Sequence, residues 1–520
     1  MGRKQRFLKL VLSGEVCDGK ASFQPLSKKD HISLPRLMKL LHAAAKDTRI
    51  RAVLLVVKSL TIGWAQIEEI HRLFDRLRQE RKQLVVFLEQ ASNKTYYLAA
   101  AADRVYLPPS ASVEFVGLRT ESLFFKNLFA YVGVEPQLFN IGAYKSAAEV
   151  FQREGMSENS RAMTEAILAD IQGRIIDLVA KNRNLLREQV QDWIDHGPYT
   201  ARAALAAGLI DGISYEDELC LVLEQLFPGV QEVRSVKSKP KDGLLKRMLT
   251  FYRPQVALIV AEGLIASGHS RRAPGRSPIL GDRTLVSFLR DAARRRRVKA
   301  IVLRINSPGG STLASDLIWR EIKLAESKKP VIMSFGNVAA SGGYYVATAA
   351  SRILASPSTL TGSIGVIGGK FNIRELLSKI GITTDAVEKG AHSGYASATR
   401  PFSKGEAETI REQMKDFYEE LFLPKVAGNR NRSIEEVRRL AEGRVWTGAQ
   451  AYSNGLIDGL GGLQDAVEMA RQLAGLLEKK SRLLTYVQRR SLLDFLPLQL
   501  SQSLGQERML ALMPEDLEIS

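Results

Sequence analysis

The sequence is short of the residues from which most metal, disulfide and hydrolase sites are built. Among 520 residues there are two cysteines, Cys17 and Cys220, and six histidines. Two cysteines so far apart supply neither a disulfide framework nor a zinc-ligand pair, and they mildly favour a reducing compartment. His31, His42, His71, His196, His269 and His392 stand singly, with no HExxH pair. No GxSxG nucleophile elbow occurs. No metal or cofactor is therefore expected. A run of about 18 apolar residues is also missing, so no transmembrane helix is expected. The opening "MGRKQRFLKLVLSG" has its short apolar stretch broken by Lys9, which makes a poor signal peptide. Gly2 lacks the hydroxyl residue that myristoylation needs.

Charge of one sign is in excess: 74 Lys and Arg against 56 Asp and Glu, a formal net charge of +18. Such an excess suits phosphate-rich partners. Here the basic residues are dispersed, clustering only at Arg271–Arg276 and Arg294–Arg297, and no zinc-finger spacing or RNP-like aromatic run accompanies them. The excess reads as a solvated basic surface, with attraction to anionic lipid as the second reading and no nucleic-acid partner.

What is present is a repeat. Arg49–Val57 resembles Arg297–Ile305, and Tyr96–Val105 resembles Tyr344–Ile353, both pairs 248 residues apart. "YTARAALAAGLIDG" (Tyr199–Gly212) matches "WTGAQAYSNGLIDG" (Trp446–Gly459) at nearly the same offset. The chain reads as a tandem duplication. The first repeat covers residues 1–229, a charge-rich linker 230–254, the second repeat 255–488 and a tail 489–520. "AIVLRI" (Ala300–Ile305) and "PVIMSF" (Pro330–Phe335) are continuous apolar runs, as in strands buried on both faces, and an amphipathic helix lies between them. Each repeat is thus expected to be an α/β domain, a mainly parallel sheet with flanking helices. The helical stretch from about Lys404 to Leu440 reads as an arm that could pack on a neighbour. The tail contains "SLLDFLPLQL", which could dock on a partner, a membrane surface or its own domain.

One difference between the repeats carries chemistry. The second contains "NSPGG" (Asn306–Gly310) and "AASGGYY" (Ala339–Tyr345); the first has "KSLTI" and "SNKTYY" at the equivalent places. A serine before a helix is commonly an N-cap, worth about 1 kcal/mol. Caps and turns alone would be needed in both repeats, and only one keeps these. Acyl transfer offers a use for them: Ser341 as nucleophile, with the Gly342 amide and one from the Pro-Gly-Gly turn, Gly310, aimed at an oxyanion.

No histidine is close in sequence to act as base. "NIGAYKSAAEVF" (Asn140–Phe151) in the first repeat holds Lys145, and its counterpart in the second repeat is Ser393. The loss is reciprocal: one repeat has the lysine without the serine, the other the serine without the lysine. Free lysine titrates near 10.4 and is no base at neutral pH; apolar burial would lower it. Ser146-Ala-Ala-Glu149 reads as a capping box that would put Lys145 at a helix N-terminus, whose dipole also disfavours a cation.

Together "NSPGG", "AASGGYY", "PSTLTGSIGV" and "GAYKSAAEVF" resemble the signal peptide peptidase A family, the long tandem form of the S49 serine peptidases, over roughly residues 35–475. The resemblance implies a fold similar to Clp protease and crotonase. It also implies a Ser341/Lys145 dyad with Gly310 and Gly342 as oxyanion donors, and cleavage of signal-peptide remnants or other apolar peptides at or near the membrane. It further implies a homo-oligomer, a tetramer with sites where domains meet. Long-form members begin with a membrane anchor, which is not found here, so a cytoplasmic or peripheral membrane enzyme is expected. Two other readings stand beside it: a crotonase-like acyl-CoA enzyme without a nucleophilic serine, and a non-catalytic membrane-associated scaffold. Ser238-Lys-Pro-Lys241 is a chance SxxK match without its companion motifs.

Overall fold

A computed structural model of the chain describes residues 5–19, 31–233, 253–271, 277–479, 481–486 and 509–511. These form two compact units. One comprises the described residues up to Arg119 and from Leu168 to Arg253; the other comprises Thr120–Ile167 and the described residues from Pro254 onward. The units cut across the sequence repeats, because Thr120–Ile167 belongs by sequence to the first repeat and packs with the second. Strand Gln231–Val233 opens the stretch read as a linker, and residues 234–252 lie outside the described residues.

The first unit is built on a seven-stranded sheet. Its order is Gly212–Ile213, Arg104–Leu107, Gln83–Leu88, Ile50–Thr61, Arg6–Cys17, Gln231–Val233, with His31–Ser33 beside Arg6–Cys17. All of its pairings are parallel. Val53–Val57 are buried without alternation, as a strand covered on both faces requires.

The second unit repeats this plan. Its larger sheet runs Val445–Thr447, Leu360–Gly362, Val331–Ala340, Val298–Ser307, Gln255–Glu262, Arg482–Tyr486, with Arg352–Ala355 and Gly459–Leu460 branching from it. The apolar runs expected to be strands are the two central ones. The helix between them, Thr312–Glu326, is capped by Ser311, whose side chain accepts from the Ala314 amide. It buries Ala314, Ile318, Ile322 and Ala325 against the sheet. The duplication extends to single hydrogen bonds. The Tyr96 hydroxyl donates to the Leu209 carbonyl in the first unit, and the Tyr344 hydroxyl donates to the Leu456 carbonyl in the second.

The stretch from Lys404 to Leu440 is helical, but it is not a free arm. Ile410, Met414, Tyr418, Phe422, Leu423, Val426 and Val437 are buried in the core of their own unit. Their apolar side chains recur on one face and gain more by covering the sheet than by facing water.

A smaller six-stranded sheet completes the second unit: Ile279–Gly281, Leu264–Ala266, Gly310–Ser311, Met509–Ala511, Val366–Asn372, Glu135–Ile141. Its last strand comes from the first sequence repeat. It pairs antiparallel with Val366–Asn372 in continuous register, from Ile141 opposite Val366 to Glu135 opposite Asn372.

Candidate active site

Ser341 follows the last residue of strand Val331–Ala340 and precedes the short helix Gly342–Ala347. It stands at the N-cap position, yet its side chain makes no capping hydrogen bond. Its φ of 53° is one that non-glycine residues rarely adopt. The equivalent turn in the first unit shows what a cap looks like: Ser92 accepts from the Thr95 amide. Asn93, at the place of Ser341, is tied to the backbone of Val116 and Gly117. The Ser341 hydroxyl has another partner. Lys145 Nζ lies 2.9 Å from Ser341 Oγ, and both side chains are buried.

Register explains how residues 196 positions apart meet. Ile141 pairs with Val366, so Lys145, four residues after Ile141, arrives beside Ser363, three residues before Val366. Ser341 reaches the same point through its own neighbour: Ala340 pairs with Gly362, and the Ser341 amide donates to the Gly362 carbonyl. Lys145 Nζ accordingly has three oxygens at 2.9 Å: Ser341 Oγ, Ser363 Oγ and the Ser363 carbonyl. None carries a formal charge. Burial alone pushes the Lys145 ammonium down to about 7. A lysine with this titration point is a usable general base near neutrality.

Two local expectations are corrected. The Ser146-Ala-Ala-Glu149 capping box does not form: residues 146–148 make a 3₁₀ turn, and the Glu149 carboxylate accepts instead from the amide and hydroxyl of Ser157. Lys145 therefore owes its lowered titration point to burial rather than to a helix dipole. Ser393, its sequence counterpart, sits in an exposed turn and bonds to the Gly390 carbonyl.

Sequence reasoning missed Ser363 and the turn Glu442–Gly443. Ser363 lies inside "PSTLTGSIGV" and has a φ of 51°. The Glu442 carbonyl accepts from the Tyr144 amide, and the Gly443 amide donates to the Ile364 carbonyl. Gly443 lies flat against Lys145: a Cβ there would stand 2.5 Å from the Lys145 nitrogen. Nothing in the linear sequence ties Gly443 to Lys145, so no local signal was available for it.

Gly310 and Gly342 also converge. A Cβ on Gly342 would lie 3.3 Å from the Gly310 nitrogen. Gly310 has a φ of 147°, and a Cβ there would collide with the Ile265 carbonyl, so both turns require glycine. Two backbone segments free of side chains thus border Ser341. No group of three or more metal-ligating side chains occurs among the described residues. Within them, no helix is long and apolar enough to cross a membrane.

A mainly parallel α/β unit with a serine at the end of a central strand, a neutralisable lysine against it and paired glycine turns is the arrangement of a serine hydrolase. The profile of peptidase family S49 matches residues 76–228 and 323–477, so the chain belongs to that family and is a serine peptidase. It is 37% identical over 486 residues to "Serine protease SPPA, chloroplastic" of Arabidopsis thaliana, spanning 92% of this chain and 71% of that protein. It is 33% identical to "Protease 4" of Salmonella typhi, over 85% of this chain and 72% of that one. A "Putative signal peptide peptidase SppA" of Enterococcus faecium matches 34% of this chain at 38% identity, covering 51% of its own length. Among solved structures, a point mutant of ClpP1 from Listeria monocytogenes overlaps 43% of this chain and 99% of its own at 16% identity and a TM-score of 0.27. An overlap that loose has no bearing on function.

Proposed function

We propose that the chain is a Ser/Lys-dyad endopeptidase in which Ser341 is the nucleophile and Lys145 the general base. The observation that supports this best is the 2.9 Å contact between a buried, lowered lysine and a serine that does not cap its helix. Neutral Lys145 takes the hydroxyl proton as Ser341 Oγ attacks the scissile carbonyl. Ser363 holds the resulting ammonium through its hydroxyl and carbonyl oxygens. The Gly310 and Gly342 amides receive the oxyanion. Lys145 then passes its proton to the leaving amine, and the acyl-enzyme is hydrolysed by a water that gives its proton to the same nitrogen. Ser341→Ala is expected to abolish turnover of a fluorogenic peptide while leaving the melting temperature within a few degrees. Near-wild-type turnover in that variant would remove the assignment. Reaction of Ser341 with a fluorophosphonate separates the peptidase from an acyl-CoA enzyme of related fold.

The substrates we infer are extended apolar peptides, including signal-peptide remnants, at or near a membrane. The family and the name of the Enterococcus faecium relative support this, and so does the basic excess of the chain. A homo-oligomer fits the second unit. Leu123, Leu128, Tyr131, Ile380 and Ile382 leave large apolar side chains in water, Tyr131 at 82% of its full exposure. Analytical ultracentrifugation is expected to show a species larger than 57.6 kDa. A monomer throughout the micromolar range would rule this out.

A further inference from the structure

The helix that covers the second unit is irregular at one place. It is an α-helix from Lys404 to Asp416, a π-helix from Phe417 to Phe422 and an α-helix again from Leu423 to Arg430. Its counterpart in the first repeat, Glu158–Arg183, is α-helix throughout. The ends of the two helices correspond. Ser157 and Ser403 each accept from the amide three residues on. Arg183 pairs with Asp211, and Arg430 pairs with Asp458. Asn184 and Asn431 follow, with φ of 56° and 52°. Ser403 lies 246 residues after Ser157, but Asn431 lies 247 after Asn184. The second helix thus holds one residue more between matching ends. The wider π-turn is where that residue is absorbed, a device common at functional sites.

The π-turn carries Tyr418, which is buried in the core. Its hydroxyl donates to Glu442 Oε1 and accepts from the Glu442 amide, both at 3.3 Å. Burial pushes the Tyr418 phenol up, so it stays protonated and keeps its donor. Glu442 has a φ of 53°, a backbone state that persists only where its neighbours hold it. It grips the lysine loop at two points. Its Oε2 accepts from the Ala143 amide at 3.2 Å, and its carbonyl accepts from the Tyr144 amide at 2.7 Å. The next residue of that loop is Lys145. The contacts therefore run from the π-turn through Glu442 to the loop of the proposed base, all within the second unit.

We propose that the π-turn is a latch on the lysine loop, in which Tyr418 acts through Glu442 to position Lys145 against Ser341. The proposal rests on reading Lys145 as the general base. Tyr418 is a positioning residue, since its hydroxyl bonds to Glu442 and not to the dyad. Without that hydroxyl the Glu442 carboxylate loses one of its two anchors, and the grip of Oε2 on Ala143 loosens. A misplacement of about 1 Å at a reacting group costs on the order of 10²-fold in rate, and a partial loosening costs less. Water admitted beside Lys145 also restores part of the solvation that burial removes.

The test uses Tyr418→Phe and Glu442→Gln in the full chain. The first keeps the ring in the core and removes only the hydroxyl. The second keeps the shape, but its single oxygen cannot accept from both Tyr418 and Ala143. Amide hydrogen exchange of residues 140–150 is followed by mass spectrometry, beside peptide turnover and thermal melting. In both variants the Ala143 and Tyr144 amides are expected to exchange about tenfold faster or more, with strand Val331–Ala340 unchanged. kcat is expected to fall about tenfold with KM within about twofold, and the pH limb of kcat/KM to move up by about half a unit or more. The double variant is expected to lose no more than the worse single one, because both cut one contact. Unchanged exchange in both variants overturns the proposal. So does a kcat within about twofold of wild type with the limb unmoved, even where the melting temperature falls, since Tyr418 then only packs. Turnover that persists in Lys145→Met rejects Lys145 as the base; faster exchange in Tyr418→Phe then keeps the latch on the loop.

Discussion

Lys145 determines how the site should respond to pH. Its titration point near 7 lies well below the ordinary lysine value of 10.5. The proposed base is the neutral form, so kcat/KM is expected to rise with pH through a single limb near 7, measurable with a fluorogenic peptide. A limb near 10 would mean that Lys145 is not lowered, and a limb near 7 that persists in Lys145→Met would mean that Lys145 is not the base. The same burial costs stability. Between about 7 and 10.5 the unfolded chain binds the lysine proton and the folded chain has released it, so stability rises with pH across that window. The penalty is complete below 7. Lys145→Met removes it and is expected to be inactive yet more stable in acid, by up to about 5 kcal/mol. That advantage should shrink toward pH 10. Ser363 acts on the same nitrogen. With Ser363→Ala, Lys145 Nζ keeps the carbonyl and loses the hydroxyl. Loss of that orienting contact is expected to lower kcat about 10²-fold with little change in KM. An unchanged kcat would make Ser363 a bystander.

The elements around the dyad work by register and close packing. Strands Glu135–Ile141 and Val366–Asn372 bring Lys145 to Ser363, and the turn Glu442–Gly443 supports the lysine backbone from behind. Gly443 has a φ of 76° and no room for a side chain. Gly443→Ala is expected to displace Lys145 from Ser341 and cut kcat/KM by about 10²-fold. The larger part of the fold should survive, because strand Val331–Ala340, which leads into Ser341, pairs with Val298–Ser307, Arg352–Ala355 and Leu360–Gly362 and not with this turn. Circular dichroism melting and peptide turnover on the same sample separate the two effects; full activity would show that the turn does not position the lysine.

At the scale of the whole molecule, the unit that holds the proposed site is assembled from both sequence repeats. Thr120–Ile167 packs with the second repeat and contributes an edge strand as well as Lys145. A fragment from Pro254 onward thus lacks Lys145, the proposed base, and exposes the edge of Val366–Asn372. It is expected not to react with fluorophosphonate at Ser341, and co-expression with residues 1–253 is expected to restore reaction. Labelling of the fragment alone at the rate of the full chain would contradict this assembly. The first unit keeps the sheet and the Tyr96 anchor of its twin, while the place of Ser341 is taken by Asn93, bonded to backbone. It has retained the architecture without the serine proposed as nucleophile.

Much of this was already written in the linear chain. Apolar runs without alternation specify buried parallel strands wherever they occur, and a constant offset of 248 residues specifies a duplication. The reciprocal loss of serine and lysine singled out Ser341 and Lys145 before any geometry, and the fold brings these two side chains into hydrogen-bond contact. Other features depended on contacts distant in sequence. The 2.9 Å separation of the dyad, the part played by Ser363 and the closeness of Gly443 all follow from strand register, which no single segment encodes. The missing capping box has the same origin: Glu149 found Ser157, a partner eight residues away, and tertiary packing prevailed over the local motif. Burial, which lowers the lysine, is likewise a property of the assembled unit, since only a packed core removes Lys145 from water.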